Sequence, residues 1–349
     1  MSGEMNDEKN EFFEIIPLDT LFFRGSTPME SGMMNVISVF PPPVSVIKGA
    51  FWTARTLYLH QMSEKKLDKP DFTDGLKNGN IPYDVKGIFI KKTDAGGTCS
   101  KYYAPAPATW YYDSDKTFFT GKSLKGLELV EAKSLSEKTL GLKCSSGDVV
   151  FVKAEKDAKS LLNAWISLDF LKSSKTKFGE DDVLFNSDIL SYENRTNVAL
   201  DNNRKAKQGQ LFSSTHIRLN EGFSLVVCFS DSEGLLDSAG LPDEGKFLFG
   251  GEKRLSKFKR IKDKLPELNF MVAGEGLPTK YYSLVPQEAT DEAIKAIVSS
   301  GKLFVTAGWD FAKRFHKPTT SWIPAGAVFN ENINNLCVAL PKVPAKKEK

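Results

Sequence analysis

The chain has 349 residues, enough for two or three domains, and its 41% hydrophobic and 26% charged residues are typical of a globular protein. A net charge of +3 excludes an indiscriminate nucleic-acid binder, so any polyanion site must be a local concentration of cations. The first ten residues are polar, the apolar runs are too short to cross a bilayer, and four scattered cysteines form no C-x-x-C pair. We therefore expect a cytosolic protein without membrane contact, metal or cofactor.

The first predicted elements are two strands. Residues 12–23 read as a largely buried strand interrupted by Pro17, and residues 36–40 read as a shorter one. Arg24 follows the first strand directly and is a candidate contact for an anion.

A helix is predicted next, after a run of three prolines that stops extended pairing. Ser45 can cap this helix, which we expect to continue to about Met62 with one apolar face. Lys48 and Arg55 are seven residues apart and therefore share another face of the helix. Such a face is either solvated or turned toward a polyanion.

The middle of the chain is less regular until a basic hairpin. We interpret residues 63–185 as an insertion that includes a helix over residues 155–172. Beyond it, strands are predicted at 197–200, 211–219 and 223–230, with a polar link at 201–209. The link and its flank carry the candidate contacts Arg195, Arg204, Lys205, Lys207 and Gln208. A protruding hairpin that binds nucleic acid and a disordered surface loop are equally good interpretations.

A glycine turn follows a short helix near residues 235–236 and a strand at 247–249. Gly250 and Gly251 have no Cβ, so their N–H groups can lie bare and their φ can be positive, while Lys253 and Arg254 supply charge. Such a turn can bind phosphate, although an ordinary turn is the usual alternative. Without the insertion, the order is strand, helix, two strands, helix, strand, which is the ferredoxin-like βαββαβ arrangement.

The C-terminal part reads as a smaller α+β unit. A strand is predicted at 281–285, then a helix capped by Thr290 and ended by Gly301, then strands at 303–307 and 322–329. We expect a first domain at 1–258 that carries the insertion, and a second at 259–349 that ends in a loose charged tail from residue 341.

Several short blocks occur in one order along nearly the whole chain: 17–24 (PLDTLFFR), 42–43 leading into 49–55 (GAFWTAR), 194–201 (NRTNVALD), 211–212 (LF), 250–254 (GGEKR), 308–310 (GWD), 317–318 (KP) and 323–326 (IPAG). Together they resemble the RAMP-type subunit of the type III-B CRISPR effector, the Cmr complex, that holds the 5′ end of the guide RNA. Lys253 departs from the family, whose members often carry a small residue in this turn.

The resemblance implies two ferredoxin-like RAMP domains and no catalytic site. It implies that the chain binds the repeat-derived 5′ tag of the crRNA beside the large polymerase-like subunit, which makes cyclic oligoadenylate, and contacts the first backbone subunit. Base pairing reads the target in such complexes, while the protein subunits hold the RNA by its backbone and shape.

Two alternatives stay open. A related RAMP protein could cut RNA itself, but His60, His216 and His316 have no neighbouring pattern of a nuclease centre, and His216 lies in a predicted strand. A protein-only scaffold for the large subunit would bind no RNA.

Overall fold

The computed structural model describes residues 10–25, 36–63, 68–77, 80–97, 99–113, 124–136, 148–151, 158–173, 175–262, 280–310 and 315–341. The predicted tail beyond residue 341 lies outside them. No helix within these ranges is long and apolar enough to span a membrane.

Strands predominate among the described residues. The α-helices are α1 (Val44–Met62), α2 (Leu168–Lys172), α3 (Asn186–Ile189) and α4 (Asp291–Ala296). The strands are β1 (Asn10–Pro17), β2 (Val36–Ile37), β3 (Asp84–Thr93), β4 (Ser100–Pro105), β5 (Trp110–Asp113), β6 (Leu129–Glu131), β7 (Lys133–Ser136), β8 (Asp148–Phe151), β9 (Ala158–Ser160), β10 (Ala164–Ser167), β11 (Val183–Phe185), β12 (Leu190–Leu200), β13 (Ala206–Leu219), β14 (Phe223–Ser230), β15 (Glu244–Leu248), β16 (Leu255–Arg260), β17 (Tyr281–Ser283), β18 (Gln287–Glu288), β19 (Ile297–Ser299), β20 (Phe304–Asp310), β21 (Phe315–Ile323), β22 (Val328–Phe329) and β23 (Cys337–Ala339). The predicted α+β class is confirmed.

The chain divides into two compact units. Unit 1 contains Met1–Gly87, Leu190–Asp263 and Val305–Thr320, and unit 2 contains Ile88–Ile189, Lys264–Phe304 and Ser321–Lys349. The domain boundary near residue 258 and the insertion at 63–185 stay predictions.

Unit 1 is built around β1. This strand pairs antiparallel with β14 on one side and β16 on the other, and β15 pairs antiparallel with β16. Helix α1 inserts Phe51 into the core, with ring centroids 5.0 Å from Phe13, 4.8 Å from Phe229 and 5.2 Å from Phe247. The aromatic side chains that alternate along the strands therefore meet the apolar face of the helix.

The local predictions for unit 1 need three corrections. The first strand ends at Pro17; beyond it, the Leu18 N–H donates to the Leu255 carbonyl and Leu21 forms an isolated bridge with Ile217. Helix α1 begins at Val44 after Pro43, without a side-chain cap, so Ser45 is not its cap. Residues near 235–236 form turns rather than a helix. Proline determines the first two boundaries, because its fixed φ suits a helix start and its missing N–H ends a ladder.

Unit 1 also contains a long hairpin, β12–β13. Its register runs from Leu190 opposite Leu219 to Leu200 opposite Ala206, with an irregularity between Val198 and Leu200. The predicted hairpin is therefore present, but its strands are longer and its link shorter than the sequence indicates.

Unit 2 contains β10 between β11 and β4, and β17 between β22 and β23. The helix predicted at 155–172 is wrong for most of the residues that the structure describes there. Strands β9 and β10 lie in this range, and only the last five residues, α2, are helical. The predicted Thr290 cap is confirmed, since the Thr290 side chain accepts a hydrogen bond from the Ala293 N–H at 3.2 Å. Helix α4 ends at Ala296, well before Gly301.

Candidate nucleic-acid interface

The tip of the hairpin is a hydrogen-bonded turn that carries several cations. The Asp201 carboxylate accepts hydrogen bonds from the N–H groups of Asn203 and Lys205, each at 2.8 Å, and the Asp201 carbonyl accepts from Arg204 N–H at 3.0 Å. Arg204 has a φ of 60°, which Asp201 stabilises through these bonds. The exposed tip side chains are Arg204, Lys205, Lys207 and Gln208.

The glycine turn connects β15 to β16 and packs closely against residues 22–23. The Phe249 N–H donates to the Arg254 carbonyl at 2.8 Å, and the Gly251 N–H donates to the Phe22 carbonyl at 2.7 Å. The Gly251 N–H is therefore not bare, and the expectation that it is free for phosphate is wrong. Glycine is required here for close approach, since a Cβ on Gly250 would lie 2.6 Å from the Phe22 carbonyl oxygen.

The turn is also unusual in its backbone angles. Glu252 and Lys253 have φ values of 55° and 54°, in the left-handed region. The Lys253 side chain is exposed. The departure from a small residue at this position thus places a cation on the outside of the turn.

Arg254 is held by two carboxylates. Its Nη1 donates to Asp19 Oδ2 at 2.6 Å, its Nη2 donates to Glu252 Oε2 at 2.7 Å, and its side chain is 14% exposed. The pKa of Asp19 is lowered, chiefly by the hydrogen bond from the Thr20 N–H and further by Arg254 and Arg195. Asp19 therefore stays ionised and neutralises the arginines beside it.

Glu193, near the base of the hairpin, binds two more arginines. Its Oε1 accepts from Arg195 Nη2 at 2.8 Å, and its Oε2 accepts from Arg218 Nη2 at 2.7 Å. Arg195 Nη2 also lies 3.4 Å from Asp19 Oδ1, which joins this group to Arg254. The pKa of Glu193 is lowered by Arg218 first and Arg195 second.

We call this network the arginine cluster; its members are Asp19, Glu193, Arg195, Arg218, Glu252 and Arg254. Three guanidinium groups face three carboxylates, so the cluster is neutral as folded. A phosphate that binds here must compete with a carboxylate, whereas phosphate at the hairpin tip meets exposed cations. The tip lies about 17 Å along the hairpin from Arg195.

His216 is buried against the cluster. Its Nε2 is 3.0 Å from Ser214 Oγ and 3.4 Å from Glu252 Oε2, its Nδ1 is 3.3 Å from Thr20 Oγ1, and its ring stacks on Phe22 with centroids 4.8 Å apart. The side chain is fully buried. The imidazole therefore packs and bonds inside unit 1.

Burial lowers the pKa of the His216 imidazole; Glu252 opposes this shift, while Arg254 and Arg195 reinforce it. As the pH falls through about 6.5, the imidazole of the unfolded chain therefore takes up a proton before the imidazole of the folded chain does. We expect the free energy of unfolding to fall between about pH 7 and pH 5, and to fall less steeply in His216→Gln, measured by urea denaturation. Asp19 and Glu193 have lowered pKa values, so their contribution to stability is lost only below about pH 5.5, where the carboxyls of the unfolded chain begin to bind protons. Equal slopes in both proteins would contradict the prediction.

The two candidate cations on α1 have partners within unit 1. Lys48 Nζ donates to Asp84 Oδ1 at 2.8 Å. Arg55 Nε donates to the Leu235 carbonyl at 2.9 Å, and its guanidinium lies 5.3 Å from the centroid of the Trp52 ring. Arg55 therefore ties the helix to the turns near residue 235. Both residues stay predictions as RNA contacts.

Arg24 is half-buried and lies opposite Ser38 in an isolated bridge. Its role as an RNA contact also stays a prediction. The sequence reading missed Arg218, whose side chain is 50% exposed and which shares Glu193 with Arg195. The register of the hairpin could have indicated the Glu193–Arg218 pair, because Glu193 lies opposite His216 and therefore diagonally across from Arg218.

The described residues thus form a strand-rich α+β protein that carries a cationic hairpin and a tight glycine turn. The family model for CRISPR-associated protein (Cas_Cmr3) matches residues 13–339. The chain belongs to this family, and the predicted resemblance to a RAMP-type subunit of the Cmr complex is confirmed.

A solved structure shares the fold. A chain in the type III-B Cmr-beta structure bound to cognate target RNA and AMPPnP has a TM-score of 0.50 and 18% identity, covering 93% of this chain and 87% of that chain. A chain in the Cmr-beta structure bound to cognate target RNA has a TM-score of 0.48 and 19% identity, covering 93% of this chain and 88% of that chain. No curated protein matches the chain.

Proposed function

We propose that the chain is a non-catalytic RNA-binding subunit of a cytoplasmic type III-B CRISPR ribonucleoprotein in antiviral defence. In this proposal it holds the repeat-derived 5′ tag of the crRNA and docks the large polymerase/cyclase subunit to the first backbone subunit. Family membership supports the proposal, as do the similar chains found in Cmr-beta structures with target RNA.

The observation that carries the proposal is the cationic tip of the β12–β13 hairpin. RNA held by its sugar-phosphate chain needs cations that are exposed yet fixed in place. The Asp201 carboxylate fixes the turn, and Arg204, Lys205 and Lys207 surround it with their side chains in solvent. A tip of this kind can separate nucleotides while its cations bind the phosphates on either side.

The glycine turn and the arginine cluster form the second part of the proposed site. Lys253 is exposed and can contact phosphate directly. Arg195 and Arg254 are paired with Asp19, so RNA must displace that carboxylate to reach them. We therefore propose that Lys253 contacts phosphate directly, whereas the arginines of the cluster contact phosphate only after they release their carboxylate partners.

We also propose that unit 1 has the ferredoxin-like arrangement. Strand β1 is flanked by β14 and β16 and antiparallel to both, as the central strand of that fold must be. Turns near residue 235 replace the second helix in this part of the chain. The burial of His216 supports a non-catalytic role, since a general base must reach its substrate.

The proposal is tested by RNA binding and cleavage with the purified chain. We expect a guide RNA with the repeat-derived 5′ tag to bind at least about tenfold more tightly than the same guide with a scrambled tag, and to stay intact. Equal affinity would contradict tag binding. Cleavage that is lost in His216→Ala would instead favour an endoribonuclease, and absence of crosslinks in the assembled complex would favour a protein-only scaffold.

A further inference from the structure

The outer face of β15, β16 and the end of β1 carries an exposed patch in unit 1. Six residues form this lysine–leucine patch: Ile16, Leu18, Lys246, Leu248, Leu255 and Lys257.

The strand register places these side chains on one face. Lys257 lies opposite Ile16 in β1 and opposite Lys246 in β15, and Leu255 lies opposite Leu248. Residues directly opposite in a ladder share a face, as do residues two apart in a strand. Leu18 continues the ladder beyond β1, because its N–H donates to the Leu255 carbonyl at 3.1 Å.

The aliphatic side chains of the patch are in solvent. Exposure is 37% for Ile16, 46% for Leu18, 54% for Leu248 and 39% for Leu255. Residues that alternate with them, such as Phe247 and Phe258, are buried in the core. Single exposed leucines are ordinary, whereas contiguous exposed aliphatic residues on one sheet face are a feature of interaction surfaces.

The charges of the patch are unbalanced along the ladder. In the neighbouring row, Lys259 lies between Glu14 and Glu244 and is flanked by opposite charge. In the patch row, Lys257 faces Lys246, and no ion pair within the described part of the chain joins either lysine. Like charges directly opposite each other destabilise a sheet, so an external anion beside Lys246 and Lys257 would stabilise this pair.

We propose that the lysine–leucine patch docks a segment of another protein subunit, one that places aliphatic side chains on the leucines and one or two carboxylates on Lys246 and Lys257. Interface cores are apolar and well packed, and opposite charge steers a partner to them. Lys246 and Lys257 could bind phosphate, but the patch has no aromatic or guanidinium plane on which a base could stack, so RNA would leave its aliphatic side chains unused. Strand β15 is at the edge of the sheet, so a segment can reach the patch from the side.

The inference rests on the proposed function, since the partner is a subunit of the same ribonucleoprotein. Two double variants test it: Leu248→Ser with Leu255→Ser, and Lys246→Glu with Lys257→Glu. A matched control, Lys295→Glu with Lys302→Glu, makes the same charge change at exposed lysines of unit 2. Each affinity-tagged variant is co-expressed with the other complex subunits and the guide RNA, and retention of every component is measured.

We expect each patch variant to retain about tenfold less of one protein subunit than the wild type does. The isolated variant should keep the melting temperature of the wild type and its affinity for tagged guide. The control should retain all components. Unchanged subunit retention in both patch variants would overturn the docking assignment. Weakened guide binding by the isolated, folded variants would overturn it in favour of an RNA contact. The proposed function fails separately, if the wild-type chain does not distinguish tagged from scrambled guide.

Discussion

Gly250→Ala should destabilise unit 1 by about 3 kcal/mol, because left-handed backbone costs an alanine about 1–2 kcal/mol and overpacking costs about 1–3 kcal/mol. Gly250 has a φ of 89°, and a Cβ there would lie 2.6 Å from the Phe22 carbonyl oxygen and 2.9 Å from Phe23 Cε1. The Phe22 carbonyl cannot move away freely, since it accepts the hydrogen bond from Gly251 N–H. The free energy of unfolding is to be measured by urea denaturation.

Gly97→Ala is the matched control for the backbone part of this effect. Gly97 also has a positive φ, of 68°, but no heavy atom lies within 4 Å of the Cβ it would gain. We expect a loss of about 1 kcal/mol from the backbone angle alone. Equal losses of unfolding free energy in the two variants would show that the contact with Phe22 does not contribute to the effect at Gly250.

Replacement of Arg204, Lys205 and Lys207 by alanine should weaken binding of tagged guide RNA. If each cation contacts one phosphate, the slope of log affinity against log salt should fall by about 2, since each contact with single-stranded RNA contributes about 0.7. The weakening should appear mainly as faster dissociation, because most of the steering charge of the chain remains. Folding should be nearly unchanged, as all three side chains are exposed.

The control removes the same number of charges from unit 2, with Lys175, Lys295 and Lys302 replaced by alanine; all three are exposed. Its salt slope should equal that of the wild type if the effect is local to the hairpin. A hairpin variant with wild-type guide retention but lost association with the large subunit would defeat the RNA assignment and make the tip a protein contact.

The sequence predicted elements best where local chemistry decides the structure. Thr290 followed by two acidic residues is sufficient to start a helix, and the polar link at 201–209 is sufficient to turn a hairpin. The helix predicted at 155–172 failed because strand pairing of β10 with β4 and β11 outweighs a weak local preference.

By itself, the sequence determined the family, the α+β class, the basic hairpin and the presence of a tight glycine turn. Only the tertiary structure decided what the charges do, because ion pairing depends on residues far apart in the chain. Arg254 meets Asp19 at 2.6 Å across 235 positions, and Gly251 donates to Phe22 rather than presenting a bare N–H. Spacing along a chain cannot reveal such partners. The fold thereby separates a neutralised arginine cluster from an exposed cationic tip, although both appear as basic residues in the sequence.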